Sequence, residues 1–450
     1  MNDTLPQEAH PGSRAAQARY ITIAAIVGVL AGTVGSFFHL AIDTVVHWPS
    51  YLGQVTSGPW LVLSAALITM VLTVLAAFIV RKVAPEASGS GVQEIEGAME
   101  GLRTVRWLRI LPVKFFAGIV AIGSGLVLGR EGPTIHIGAS MAAMMSSVVR
   151  VAETERRGLL AAGAAAGLAC AFNAPLAAVL FVIEETHKQF PYTFRTYMGV
   201  IAAAILAVLM TEIIGGTAPD MPILSPQVPL ALLPAFVLLG CILGGLGVIL
   251  NTSILKALGF AAWVQHRASY LYPACVGLVV GALFILLPQA VTGGETVITE
   301  LVSERPAVML LILLAVLRFA TMVGSYSSGV PGGIFAPILA LAVCVGLAFG
   351  AGMEVAFPEV GAVSAAFAIA AMGGLFTASV RAPIVGVALT LELTGSYALA
   401  LPLLATCLAA NLSAQWLGGK PIYEQLLDRT LQQAGLQRRP TAASHNTGLA

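Results

Sequence analysis

Charge is what this sequence lacks most. Only 10% of its residues are Asp, Glu, Lys or Arg, against about 25% in water-soluble globular domains. That excludes a fold whose surface must be covered by solvated side chains. The few charges nearly cancel, to +1, so no basic face is available for nucleic acid. Cysteine is sparse and scattered. Cys170, Cys241, Cys275, Cys344 and Cys407 stand singly in apolar stretches without C-x-x-C spacing, which argues against a zinc motif or a disulfide framework and leaves them as small packed hydrophobes. No metal and no cofactor is expected. The N-terminus lacks the continuous apolar core of a cleavable signal peptide and reads as a disordered tail over residues 1–19.

What remains is oil, glycine and proline. Hydrophobic residues make up 58% of the chain, with 47 glycines and 24 prolines. Apolar runs over 60–80, 230–250, 271–287, 307–323 and 399–417 are each long enough to span a bilayer, and 21–46 and 159–183 are longer but interrupted. About ten to twelve such segments describe an all-α polytopic membrane domain. Small residues let membrane helices approach closely. Glycine and proline also break helices, which lipid tolerates only where loose backbone is buried or lines a cavity, and broken helices near the midplane mark transporters.

Two halves of the chain echo each other. The first holds Gly129-Arg130-Glu131-Gly132-Pro133, then Asn173-Ala174-Pro175 and Glu184; the second holds Gly333-Ile334-Phe335-Ala336-Pro337, then Arg381-Ala382-Pro383 and Glu392. The prolines are 42 and 46 residues apart, and each glutamate follows nine residues later. Matching order and spacing point to an internal duplication, which in membranes often has inverted topology with the substrate site between the repeats. The expected division is a first half over 20–214, a linker over 215–228, a second half over 229–430 and a cytoplasmic tail over 431–450. Basic residues at 420–439 put the C-terminus in the cytoplasm; those at 81–82, 103–109 and 150–157 do not by themselves give one consistent topology.

Proline is favoured in the first turn of a helix, so Pro133 and Pro337 each predict a helix start. Such a start carries about half a positive charge and unpaired N–H groups, and binds anions without Lys or Arg. Ser90, in Gly89-Ser90-Gly91, offers a hydroxyl on a flexible turn, although a plain turn explains the same residues. Tyr423 either donates its O–H inward or belongs to an interfacial belt. Where these elements converge, amides and hydroxyls replace the water shell of a small anion while binding it weakly enough for release. Glu131, itself an anion at the same helix end, competes for that place when charged and leaves it when protonated; pairing with Arg130 and plain N-capping are the duller alternatives. His136 reads as a satisfied interior histidine. A hydrolase built on Ser90 or Ser328 lacks a clear histidine base with an orienting partner, so no enzyme is expected.

These residues resemble the CLC chloride channels and chloride/proton exchangers, from about residue 20 to 429. The marks are GSGVQEIEGAM, GREGP, GGIFAP, AAAGLACAFNAPLAAVLFVIEE and the Tyr of KPIY. The resemblance implies two inverted halves of tilted and partial helices in a homodimer with one pathway per subunit. It implies an anion held by Ser90, Tyr423 and the N–H groups of Ile334 and Phe335. It makes Glu131 the external gate, Glu185 the internal proton-transfer glutamate and Glu184 its neighbour on the route to the cytoplasm. Family channels usually lack a carboxylate at the position of Glu185, so an H+/Cl− exchanger in a prokaryotic inner membrane is expected, with a passive chloride channel of the same fold as the alternative. One departure stands out: Val92-Gln93 replaces the family's Ile-Pro, which predicts a looser turn at Ser90.

Overall fold

The computed structural model describes residues 14–186, 193–216, 221, 223, 228–358 and 362–436. It is helical throughout, with only isolated β-bridges besides helices and turns among the described residues. Nine helices fill the first part of the chain: α1 (Arg14–Val45), α2 (Trp48–Val55), α3 (Gly58–Val83), α4 (Val92–Met99), α5 (Trp107–Gly123), α6 (Glu131–Val149), α7 (Glu153–Phe172), α8 (Pro175–Thr186) and α9 (Phe194–Gly215). Nine follow: α10 (Leu233–Arg267), α11 (Leu271–Leu286), α12 (Glu295–Glu304), α13 (Val308–Ser327), α14 (Phe335–Ala356), α15 (Ser364–Val380), α16 (Pro383–Thr394), α17 (Ala400–Trp416) and α18 (Ile422–Gln433). Helix α1 begins at Arg14, so residues 14–19 are helical, and α18 runs three residues past residue 430. Most of the 215–228 linker, and His187 and Lys188 beyond Glu185, lie outside the described residues.

Among the described residues seven helical stretches are long and apolar enough to cross a bilayer, fewer than the apolar runs alone suggested. The run over 159–183 is two helices. Asn173 ends α7 in the left-handed region (φ 50°), and Pro175 starts α8 two residues later. Arg381 does the same between α15 and α16 (φ 71°), followed by Pro383. The run at 271–287 forms a 16-residue helix, about 24 Å long at 1.5 Å per residue, short of a hydrocarbon core of about 30 Å.

Glycines bring the helices into backbone contact in the same manner twice. A Cβ on Gly28 or Gly32 of α1 would overlap the backbone of Ala203 or Ala207 of α9. A Cβ on Gly240 or Gly244 of α10 would crowd the carbonyls of Thr406 or Ala410 of α17 at 2.5 and 2.8 Å. Both are the small-x-x-x-small packing of membrane helices. Almost all of α7 and α15 is buried, so these two helices form the centre around which partial helices are set.

The duplicated glutamates meet across the molecule. Glu184, near the end of α8, accepts from the N–H groups of Ile384 (3.4 Å) and Val385 (2.9 Å) at the start of α16. Glu392 of α16 accepts from Leu176 (3.1 Å) and Ala177 (2.6 Å) at the start of α8. Each short helix thus caps the other with a carboxylate at its positive end, worth about 1 kcal/mol apiece. Replacing both Glu184 and Glu392 by Gln is expected to lower the thermal unfolding midpoint in detergent by more than either change alone. An unchanged midpoint would show that the caps contribute nothing.

The basic clusters also come together. Arg19 of α1 reaches the carbonyl of Val149 at the end of α6 (3.4 Å), and Arg195 of α9 pairs with Glu155 of α7 at 2.7 Å. Arg157 of α7 lies against Gly101, Arg103 lies beside Leu427 of α18 at Gly97, and Arg429 bonds the carbonyl of Leu258 on α10. These contacts place the clusters at 103–109 and 150–157 on the same face as the C-terminal helix. The sequence did not resolve this because α4 is only eight residues long, so counting full spans misassigns the ends around it.

Candidate functional site

Three glycine-bearing loops meet in the middle of the fold. Gly129 and Gly333 exchange hydrogen bonds, N–H to carbonyl, at 2.9 and 2.7 Å. The Gly89 N–H donates to the carbonyl of Val330 (2.9 Å), and the Gly332 N–H donates to the carbonyl of Gly89 (3.1 Å). Beyond these pairs the chain enters α4, α6 and α14, with Pro133 and Pro337 each the third residue of its helix. A fourth helix start, at Pro421-Ile422, brings in Tyr423. Gly91 is left-handed (φ 91°) at the start of α4.

The expected residues converge there. The space a Cβ would fill on Gly132 is taken by Ser90, with the serine Cβ at 2.9 Å. A Cβ on Gly333 would meet the Gly132 nitrogen at 2.8 Å and the Glu131 Oε2 at 3.0 Å. The Phe335 ring is held edge-on by Phe376 (4.9 Å) and Phe181 (5.4 Å) and lies 5.8 Å from the Tyr423 ring. That cage fixes the first amides of α14, Ile334 and Phe335 included. Ser90, Glu131 and Tyr423 are fully buried. The Ser90 hydroxyl, the Tyr423 hydroxyl and both carboxylate oxygens of Glu131 complete no hydrogen bond of good geometry, although the two hydroxyls lie near each other and the carboxylate lies near the amides of Glu131 and Ala336. Unsatisfied buried polar groups are costly, so donors and an acceptor clustered without well-formed bonds mark a place built for something else.

Glu131 opens α6 as its first residue, and its carboxylate lies over Gly129, where the Cδ would be 2.8 Å from an added Cβ. It is not held by its neighbour. Arg130 pairs instead with Glu295 (3.1 Å) and Asp43 (3.7 Å). Glu185 stands in the last turn of α8, partly buried and within electrostatic reach of Tyr423. Glu184 stands beside it, and its oxygens also accept from amides at the start of α16, capping that helix. His136 is not satisfied. It is fully buried against Gly91 with neither ring nitrogen hydrogen-bonded, and no bond joins it to Ser90. Gln93 does not prevent the helix start that a proline would have set, since α4 begins at Val92; its Oε1 is buried without a partner.

Two buried cations were missed. Lys114 of α5 is fully buried and donates from Nζ to the carbonyls of Gly89 (2.6 Å) and Ser90 (3.1 Å). Arg318 of α13 is equally buried and donates to the carbonyls of Gln289 (2.7 Å) and Val291 (2.8 Å). Each sits one helix before a G-x-x-x-P loop. A lone cation inside an apolar run, as in VKFF and LRFA, was the available signal. Lys114 also modifies the expectation of a site without fixed cations: an ammonium stands behind the Ser90 turn, on its carbonyl side, with the hydroxyl facing the other loops.

The chain matches the family model for voltage gated chloride channels over residues 72–415. It is 45% identical over 431 residues to the H(+)/Cl(−) exchange transporter ClcA of Vibrio parahaemolyticus, covering 93% of this chain and 91% of the relative. It is 42% identical over 439 residues to the transporter of that name from Salmonella arizonae, covering 95% and 93%. Among solved structures, a slow cyanobacterial Cl−/H+ antiporter superposes with a TM-score of 0.89 at 34% identity, over 95% of this chain and all of that one.

Proposed function

The chain belongs to the voltage-gated chloride channel family, and from that premise we propose that it is a secondary active transporter exchanging chloride for protons. The observation that carries this is the cluster of buried polar groups, without hydrogen bonds of good geometry, at converging helix starts: the hydroxyls of Ser90 and Tyr423 with the carboxylate of Glu131. Chloride lies between the two hydroxyls and the N–H groups of Ile334 and Phe335. These donors replace its hydration shell, and the helix dipoles supply the positive potential. Gly89, Gly91, Gly129, Gly132 and Gly333 let the loops approach; Pro133 and Pro337 fix the first turns of α6 and α14. The carboxylate of Glu131 is itself an anion drawn to the same field. Charged, it competes with chloride; protonated, it is released, so each proton it carries is tied to anion movement. Glu185 passes protons between the site and the cytoplasmic side, and Glu184 supports it by fixing the end of α8 against α16.

In this reading the halves at 20–214 and 229–430 form one pathway per subunit in a homodimer of the inner membrane, and the protein is not an enzyme. The deciding experiment is the reversal potential of the purified protein in liposomes under independent chloride and pH gradients. An exchanger responds to both; a potential set by chloride alone leaves a passive channel with the same pore. Glu185→Gln is expected to cut proton flux roughly a hundredfold while chloride still flows, the scale of losing a positioned proton-transfer group. Proton flux at the wild-type rate would remove Glu185 from the route.

A further inference from the structure

On the basic face described above, α5 and α7 begin beside each other around a cavity of about 700 Å³. Arg106, Arg109 and Arg156 line it, with Trp107 and Ser147. One carboxylate is present: Glu153, which lies 3.5 Å from Arg156. Arg106 and Arg109 are exposed and have no carboxylate partner among the described residues. Two helix starts face the last turn of α6 (Ser146, Ser147) across the cavity, and the excess of guanidinium charge suits an anion with several oxygens. Chloride needs no such fork of planar donors.

A second cavity tells which anion. It is about 420 Å³, and its lining is wholly apolar: Leu111, Pro112, Phe115 and Phe116 of α5, with Phe37 of α1 and Met141 of α6. It begins two residues past Arg109 on the same helix. From Arg109 to Phe116 is about 10 Å along the axis at 1.5 Å per residue. Leu108, in the lining of the basic cavity, and Val148, next to Ser147, are open apolar residues, 70% and 69% exposed. A basic pocket at the membrane face followed by an oily groove toward the bilayer interior matches a phosphate head and the chain attached to it.

We propose that the start of α5 holds an anionic phospholipid, its phosphodiester among Arg106, Arg109 and Arg156 and one acyl chain along Leu111, Phe115 and Phe116. Native mass spectrometry of the purified protein supplied with dioleoylphosphatidylglycerol or dioleoylphosphatidylcholine tests this. Wild type is expected to retain the glycerol lipid roughly fivefold more than the choline lipid. The Arg106→Gln/Arg109→Gln variant is expected to lose that preference while still moving chloride and protons after reconstitution. Equal retention by wild type and variant, or of both lipids by wild type, overturns the proposal. Displacement of phosphatidylglycerol by millimolar inorganic phosphate overturns it too, since the pocket would then serve a soluble anion. As a measurement independent of any variant, phosphatidylglycerol with brominated acyl chains is expected to give bromine anomalous density beside Phe115 and Phe116; bromine density only elsewhere on the protein refutes the assignment.

Discussion

Replacing Glu131 by Gln is expected to abolish proton movement while chloride continues to flow. The amide keeps the size and hydrogen-bonding reach of the carboxyl, so α6 and its loop are retained. It cannot be charged, so it neither competes with chloride for the field of the four helix starts nor carries a proton through them. Proton flux should fall by roughly a hundredfold or more, the scale of losing a positioned acid–base group. The reversal potential of the variant should follow chloride alone and ignore an imposed pH gradient. Proton-driven chloride uptake at the wild-type rate would show that some other group is the carrier. Chloride flux in the wild type should also depend on pH, with acid favouring the released, protonated side chain; in the variant that dependence should flatten.

Gly129→Ala is expected to do comparable damage from one residue outside the carboxylate itself. Gly129 is not in the left-handed region that only glycine favours, so alanine can adopt its backbone. The obstacle is Glu131. All three of the nearest atoms to an added Cβ belong to its carboxylate, with Cδ and Oε1 both at 2.8 Å. Either the side chain leaves its seat or the loop gives way, and the loop is tied by the Gly333 pair. Overpacking of this kind costs about 1–3 kcal/mol. The single variant should therefore unfold at lower temperature and lose coupling, with chloride moving without its protons. Adding Glu131→Ala removes the atoms in conflict and should restore stability to that of Glu131→Ala alone. A double variant no more stable than Gly129→Ala would mean that the glycine is needed for another reason.

Much of this was legible in the sequence because the informative residues are punctuation. Prolines two residues into α6 and α14 mark helix starts through their missing N–H, and those starts are where the structure has them; that Pro175 and Pro383 open α8 and α16 was not read from the sequence. The convergence of Ser90, Glu131, Phe335 and Tyr423 was expected from the family resemblance, whereas the residues alone left Ser90 open to a plain turn and Tyr423 to an interfacial belt. Apolar periodicity alone could not show that the run at 159–183 turns back at Asn173, a residue that ends a helix through its backbone angle without interrupting the hydrophobicity around it. Nor could it show what Glu184 holds, since its partners are backbone amides some two hundred residues away and carry no residue signature. Lys114 and Arg318 were visible as single cations. Their targets are carbonyls, which every residue has, so no sequence pattern pointed to the turns they clamp.

The four hydrogen bonds joining Gly89, Gly129, Val330, Gly332 and Gly333 run between the early and late parts of the chain at the very centre of the pathway. They act as a rivet. Carriers that swing one lobe against the other around a central substrate need that seam to part in every cycle, and here parting it would strand seven amide and carbonyl groups in a dry interior, the Gly89 carbonyl alone keeping Lys114. Access must therefore alternate through movements small enough to leave the rivet closed, such as a swinging side chain or a shifting helix end. Cross-linking the two lobes at their periphery should accordingly slow exchange far less than immobilising a single side chain beside the ion.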